Sequence, residues 1–129
     1  MKKILSWVYV VVWCSVIFFF SSIPDLKIKE LGFLDLILRK IAHILEYAIL
    51  GILFKNAFFV SFNIKEFNSD FFSFILSFIY AVSDEIHQKF VPGRHFALSD
   101  IGIDGIGIIL GIILWNRFLK FKLYKNQKP

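Results

Sequence analysis

Between Tyr80 and Gly111 the chain places Ser83-Asp84-Glu85-Ile86-His87-Gln88 and the turn Pro92-Gly93-Arg94 ahead of an apolar run that still carries Asp100 and Asp104. Carboxylates at membrane depth are costly and rarely idle. A second apolar run, Arg39 to Phe59, carries Lys40, His43 and Glu46. Two stretches that break the same rule predict a membrane protein built around a polar site. Composition agrees: at 129 residues, with 57% hydrophobic content and 17 Phe, the chain has too little polar surface to cover a soluble globule, so the bilayer is the expected solvent. The net charge of +5 suits Lys and Arg at membrane ends. Nucleic acid is excluded as a partner, because most Lys fall in loops and at the C-terminus, not on a face with exposed aromatics. The lone Cys14 lies in the first apolar run and can form no intramolecular disulfide.

Run lengths near the roughly 20 residues that cross a bilayer predict four spans, about 4–22, 40–59, 71–88 and 98–116. The fold class expected is an all-α, polytopic membrane helical bundle with four transmembrane helices, one domain over residues 1–129. The first run follows Lys2 and Lys3 and ends at Ser21-Ser22-Ile23-Pro24, which resembles a signal peptide in outline. Its core is longer than a signal core and it lacks a clean Ala-x-Ala site, so it reads as a retained helix. Four spans put both termini on one side. Lys and Arg number nine on that side, with Lys55 and Lys65 assigned to the connection between spans two and three, against six on the other: Lys27, Lys29, Arg39, Lys40, Lys89 and Arg94. The excess places both termini in the cytoplasm. Trp115 and Tyr124 suit interfacial positions. Span two begins, span three ends and span four begins on the same side, so the polar residues converge at one face whichever way the bundle points.

At about 100° per residue, Lys40, His43, Glu46, Tyr47, Leu50 and Gly51 share one broad face of span two. In span three Ser73, Ser77, Ala81, Asp84 and Gln88 form a small and polar stripe, with Glu85 about a quarter turn away. In span four Asp100, Asp104, Gly107 and Gly111 line one side, and Gly107-x-x-x-Gly111 offers the small surface that close helix contact needs in lipid. Small residues below and carboxylates above predict a wedge-shaped pocket. The connection Phe90-Val91-Pro92-Gly93-Arg94 must turn the chain. Ser99 or Asp100 can cap the fourth helix without any further role.

The candidate binding residues are therefore Lys40, His43, Glu46, Tyr47, Asp84, Glu85, Gln88, Arg94, Asp100 and Asp104, with His43, Asp84 and Glu85 as candidate catalytic groups. A carboxylate beside a His suits acid and base work. His43 can equally serve as a hydrogen bond between helices, and Lys40 can snorkel to the interface. Asp84 with His87 and His43 with Glu46 have spacings that a metal could use, yet helical pairs of this kind are common, and no metal or other cofactor is expected. No Ser or Cys sits in a nucleophile motif. Arg94 offers a planar fork of donors to a phosphate or carboxylate, or pairs with Asp84, Glu85 or Asp100.

Taken together, Lys40-x-x-His43-x-x-x-Tyr47-x-x-Leu50-Gly51, Asp84-Glu85-x-x-Gln88-x-Phe90-Val91-Pro92-Gly93-Arg94, Asp100 ahead of Gly107 and Gly111, and Ser21-Ser22-x-Pro24 resemble the VanZ-like family over nearly the whole chain. The resemblance implies a small bacterial membrane protein, akin to an accessory protein of glycopeptide resistance clusters that lowers susceptibility to teicoplanin. By the family pattern Lys40, His43, Tyr47, Asp84, Glu85, Gln88, Arg94 and Asp100 are the positions of interest. Many relatives carry Asn one turn after the equivalent of Asp100, where this chain has Asp104. The function expected is binding or modification of a membrane lipid or lipid-linked cell-wall amphiphile at the outer face, contributing to glycopeptide resistance or envelope homeostasis. An enzyme form would use Asp84 or Glu85 with His43. The competing class is a non-catalytic accessory subunit, whose polar cluster is structural or meets a membrane protein partner or a second copy of the chain. A proton-coupled transporter comes last, since four short spans without repeats leave little room for alternating access.

Overall fold

Of the three prolines in the sequence, Pro24 and Pro92 lie outside the helices. A computed structural model describes residues 1–24, 32–62 and 66–126, without the side chains of residues 67 and 122–126. Lys27, Lys29, Lys65 and the side chain of Tyr124 lie outside the described residues. Among the described residues the chain is all-helical, with α1 (Lys2–Ser21), α2 (Phe33–Ser61), α3 (Glu66–Gln88) and α4 (Leu98–Asn126). The 29 residues of α2 and of α4 rise roughly 43 Å, well past a hydrocarbon core of about 30 Å. Two helices, α1 and the Leu98–Phe121 part of α4, are long and apolar enough to cross a membrane. In α2 and α3 the same property is diluted by Asp35, Arg39, Lys40, Glu46, Lys55, Glu66, Asp70, Asp84 and Glu85.

The bundle is organised around α2 and α4, which share the most extensive contact. Glycine makes that approach possible. A Cβ on Gly111 would lie 2.0 Å from the Ala48 carbonyl oxygen, one on Gly107 2.6 Å from that of Ile44, and one on Gly51 2.8 Å from that of Ile108. The Gly107-x-x-x-Gly111 surface is thus consumed inside the chain. Indole donors fix α1 against α2, with Trp7 Nε1 donating to Ser61 Oγ and Trp13 Nε1 to the Glu46 carbonyl, each at 2.9 Å. Tyr80 OH donates to the Cys14 carbonyl at 2.5 Å and joins α3 to α1. Between α3 and α4 the backbone turns through bonds from Phe90 N–H to His87, Val91 N–H to Gln88 and Arg94 N–H to Val91. Gly93 takes φ +80° there, a conformation open to few other residues.

Burial is distributed unlike that of a soluble domain. Among the described residues, eleven buried apolar side chains stand against eleven buried polar or charged ones. Large apolar side chains such as Phe19, Ile79, Leu114 and Phe118 stand more than half exposed on the outside. Apolar exterior and polar interior suit a lipid surround.

One expectation needs correction. Lys55 does not belong to a connection: α2 runs on to Ser61, and Lys55 is fully buried, 2.6 Å from Asp70. Its Nζ also donates to Ser69 Oγ and, at 3.1 Å, to the Glu66 carbonyl, and lies 5.5 Å from the Trp115 ring centre. Asn116 Nδ2 donates to both Asp70 oxygens, so Lys55, Ser69, Asp70 and Asn116 close a polar knot at this end. Withdrawing Lys55 from the loops narrows the charge margin to eight against six. Glu85, a quarter turn from the stripe of α3, is 1% exposed as well: its Oε1 accepts the Ala97 N–H at 2.7 Å at the start of α4.

Candidate functional site

The C-terminal ends of α1 and α3 and the N-terminal ends of α2 and α4 meet at the end of the bundle opposite Lys55. On α2 the period of the helix aims Lys40, His43 and Tyr47 at α3 and α4. Lys40 Nζ lies 3.0 Å from Asp100 Oδ1, and His43 Nδ1 lies 2.9 Å from Asp104 Oδ1. One turn deeper, Tyr47 OH donates to Asp84 Oδ2 at 3.2 Å, and Gln88 Nε2 donates to the same oxygen at 3.0 Å. The three helices therefore carry three stacked polar contacts, Lys40 with Asp100, His43 with Asp104, and Tyr47 and Gln88 with Asp84. Tyr47, Asp84, Gln88 and Asp104 are buried, while Lys40, His43, Glu46 and Asp100 are half-buried.

Arg94 reaches back to the end of α1, where Nη2 donates to the Phe20 carbonyl at 3.0 Å and Nε to the Ile23 carbonyl at 3.3 Å. Those carbonyls lie where a helix has run out of internal donors, so the turn residue holds α1 in the bundle. Among the described residues it meets none of the acids Asp84, Glu85 or Asp100 at ion-pair distance. Asp100 accepts from Lys40 and from Ser99 Oγ, and the acid that meets backbone at the α4 entry is Glu85. His87 and Asp84 take separate partners: His87 Nε2 lies 3.0 Å from Ser22 Oγ and its ring packs on Phe18. Among the described residues no group of three or more His, Cys, Asp or Glu is arranged to hold a metal.

Two adjoining cavities open at this end. The first, about 210 Å³, is lined by Glu46, Asp84, Ser21, Ile17, Phe20 and Ala42 together with Arg39, His43, Gln88 and Arg94. The second, about 190 Å³, shares those last four residues and adds Lys40, His95, Asp100, Leu36, Gly93 and Ala97. Phe20 and Ala42 are also exposed on the outside of the bundle, so the first cavity borders the apolar exterior. Several buried polar atoms have no partner there: Asp84 Oδ1, Arg39 Nε and Ser21 Oγ. Buried polar atoms are nearly always paired in a finished structure, and orphans around a cavity mark where a ligand or water would bond.

Every residue expected at the site lies at this end of the bundle, although Tyr47, Glu85 and Asp104 do not line either cavity. Arg39 and Ser21 were not anticipated. Arg39 pairs with Asp35 at 2.9 Å, and its signal was adjacency to Lys40 inside an apolar run. Ser21 stands in the Ser21-Ser22-x-Pro24 segment. Asp35, buried one turn before Arg39, lay outside the expected span.

A four-helix bundle with an apolar exterior, two helices apolar enough to cross a membrane and a polar cavity at one end defines a small helical protein of membrane character. The family model for VanZ/LLP1 matches residues 6–120, and the chain belongs to that family. Neither a search of curated proteins nor one of solved structures finds a match.

Proposed function

We propose that this protein crosses the membrane four times with both termini in the cytoplasm, and binds the head group of a lipid or lipid-linked amphiphile at the outer face. One observation carries the reading. The first cavity joins a polar lining with unpartnered Asp84 Oδ1 and Arg39 Nε to a rim of outward-facing Phe20 and Ala42. A ligand with a polar head and an acyl chain could place one part in each without leaving the bilayer. Teicoplanin, the antibiotic connected with the family through the resemblance, carries an acyl chain and acts on a lipid-linked precursor. Binding such an amphiphile, or altering its availability, would lower susceptibility.

The test is the susceptibility of bacteria expressing the wild-type chain or Asp84→Asn, at equal membrane abundance, to teicoplanin and vancomycin. The reading expects a teicoplanin-selective rise in the inhibitory concentration that the variant loses. No rise with abundant wild-type protein would sink the resistance reading. A structural role is favoured for some of the polar groups, since Lys40 with Asp100 and His43 with Asp104 already satisfy one another. That role predicts that changing them lowers protein abundance before it alters any phenotype.

A further inference from the structure

The polar groups around the two cavities do not balance. Asp35 pairs with Arg39, Asp100 with Lys40 and Asp104 with His43. What is left is three carboxylates, Glu46, Asp84 and Glu85, against the imidazole of His95 and one guanidinium, Arg94, with two of its N–H groups on the α1 carbonyls. Asp84 is 5% exposed. Both of its donors, Tyr47 and Gln88, go to Oδ2, and Oδ1 has none. Among the described residues Glu46 makes no side-chain hydrogen bond or ion pair, and it lines the same cavity. This cavity therefore needs a donor. The neighbouring cavity is the more cationic of the two: it shares Arg39, His43 and Arg94 and adds Lys40 and His95 around the single acid Asp100. Arg39 Nε, in the wall common to both, is buried and needs an acceptor.

A molecule that answers both demands carries an anion and a hydrogen-bonding cation a short distance apart. Resting on the head-group reading above, we propose that the site is selective for a phosphate head group that ends in a primary amine. The ammonium sits in the first cavity and donates to Asp84 Oδ1 and Glu46. The phosphate sits in the second, where Arg39 Nε and the remaining N–H groups of Arg94 meet its oxygens, as planar guanidinium donors do. A cavity of about 210 Å³ has the volume of roughly seven waters in the liquid, enough for a small polar group and too little for a folded peptide. A quaternary ammonium has no N–H to give and leaves Asp84 Oδ1 unpaired, so hydrogen bonding, not charge alone, sets the preference.

The experiment is calorimetric titration of the purified full-length protein in detergent with short-chain phosphatidylethanolamine, phosphatidylcholine and phosphatidylglycerol, and with soluble phosphoethanolamine. Phosphatidylethanolamine should bind at least about tenfold tighter than the other two lipids, the difference expected when a buried carboxylate oxygen is left without a donor. Glu46→Gln, which disturbs no internal bond, should remove most of that preference while keeping the helical circular dichroism of the wild type. Asp84→Asn should do so more completely, and Arg39→Gln should weaken all three lipids together. Equal affinity for phosphatidylethanolamine and phosphatidylglycerol overturns the amine proposal and leaves head-group binding standing. Tight binding of soluble phosphoethanolamine with no gain from the acyl chains upholds the amine and phosphate chemistry but overturns the lipid source. Absence of binding by any of the four overturns both.

Discussion

Replacing Gly111 by Ala would put a Cβ 2.0 Å from the Ala48 carbonyl oxygen, and backbone on a packed helix cannot yield as a flexible side chain can. Overpacking of this kind costs about 1–3 kcal/mol. Gly111→Ala should therefore lower the Tm in detergent, while Gly102→Ala, whose added atom meets nothing within 4 Å, should leave it unchanged or slightly raised. Equal Tm values for the two variants would show that α2 and α4 are less closely apposed than described. Lys55 poses a different residue-scale question. Its fully buried ammonium is enclosed by Asp70, Ser69 and the Glu66 carbonyl, so Lys55→Ala should cost roughly 1–3 kcal/mol by leaving Asp70 without its cation. The double variant Lys55→Met with Asp70→Leu should recover much of that loss, since replacing both partners of a buried pair is often neutral. A double variant no better than Lys55→Ala in thermal unfolding would assign the pair a role beyond charge compensation. From the sequence the Gly107 and Gly111 spacing was readable as a contact surface, but its partner was not, because spacing specifies one face and leaves open whether another helix of the same chain or a second copy fills it.

At the scale of elements, the loop after α3 does more than reverse the chain. Glu85 bonds the Ala97 N–H at the start of α4, and Arg94 bonds the Phe20 and Ile23 carbonyls at the end of α1. One short segment thus registers three helix ends around the cavities. Arg94→Lys keeps the charge but loses the fork. It should speed amide exchange around Ser21 to Ile23 by tenfold or more, with the middle of α2 and α4 unaffected. Uniform acceleration over the whole chain would mean instead that the bond supports global stability. The stripe Ser73, Ser77, Ala81, Asp84 and Gln88 is fully or nearly buried, as its spacing predicts, because a helix fixes the angle between residues whatever surrounds it. Glu85, a quarter turn from that stripe, is buried through a partner that is a backbone group twelve residues on, a separation that no helical period encodes.

For the whole molecule, polar contacts at both ends bracket an apolar middle in which Leu50, Phe54, Ala57, Ile108 and Ile112 meet. A four-span arrangement puts Ser99 and Asn68 on opposite sides of the membrane. In a Cys14→Ser background, an impermeant maleimide added to intact cells should label Ser99→Cys and spare Asn68→Cys until the membrane is opened. The reverse pattern would invert the orientation, and labelling of both would sink the four-span topology. The charge margin of eight against six makes this measurement decisive, because the rule that orients helices responds to small excesses weakly.

The sequence by itself determined the helical elements, the polar face on each and the end of the bundle where those faces meet, because run length, proline placement and the 3.6-residue period of a helix are local properties. It also carried the family, through linked motifs spread over nearly the whole chain. Only the tertiary structure decided which polar and charged groups pair, that Lys55 is an interior residue, and that Asp84 Oδ1 and Arg39 Nε are left to face a cavity. The physical reason is range. A hydrogen bond forms over about 3 Å, and which side chains come that close depends on how whole helices pack.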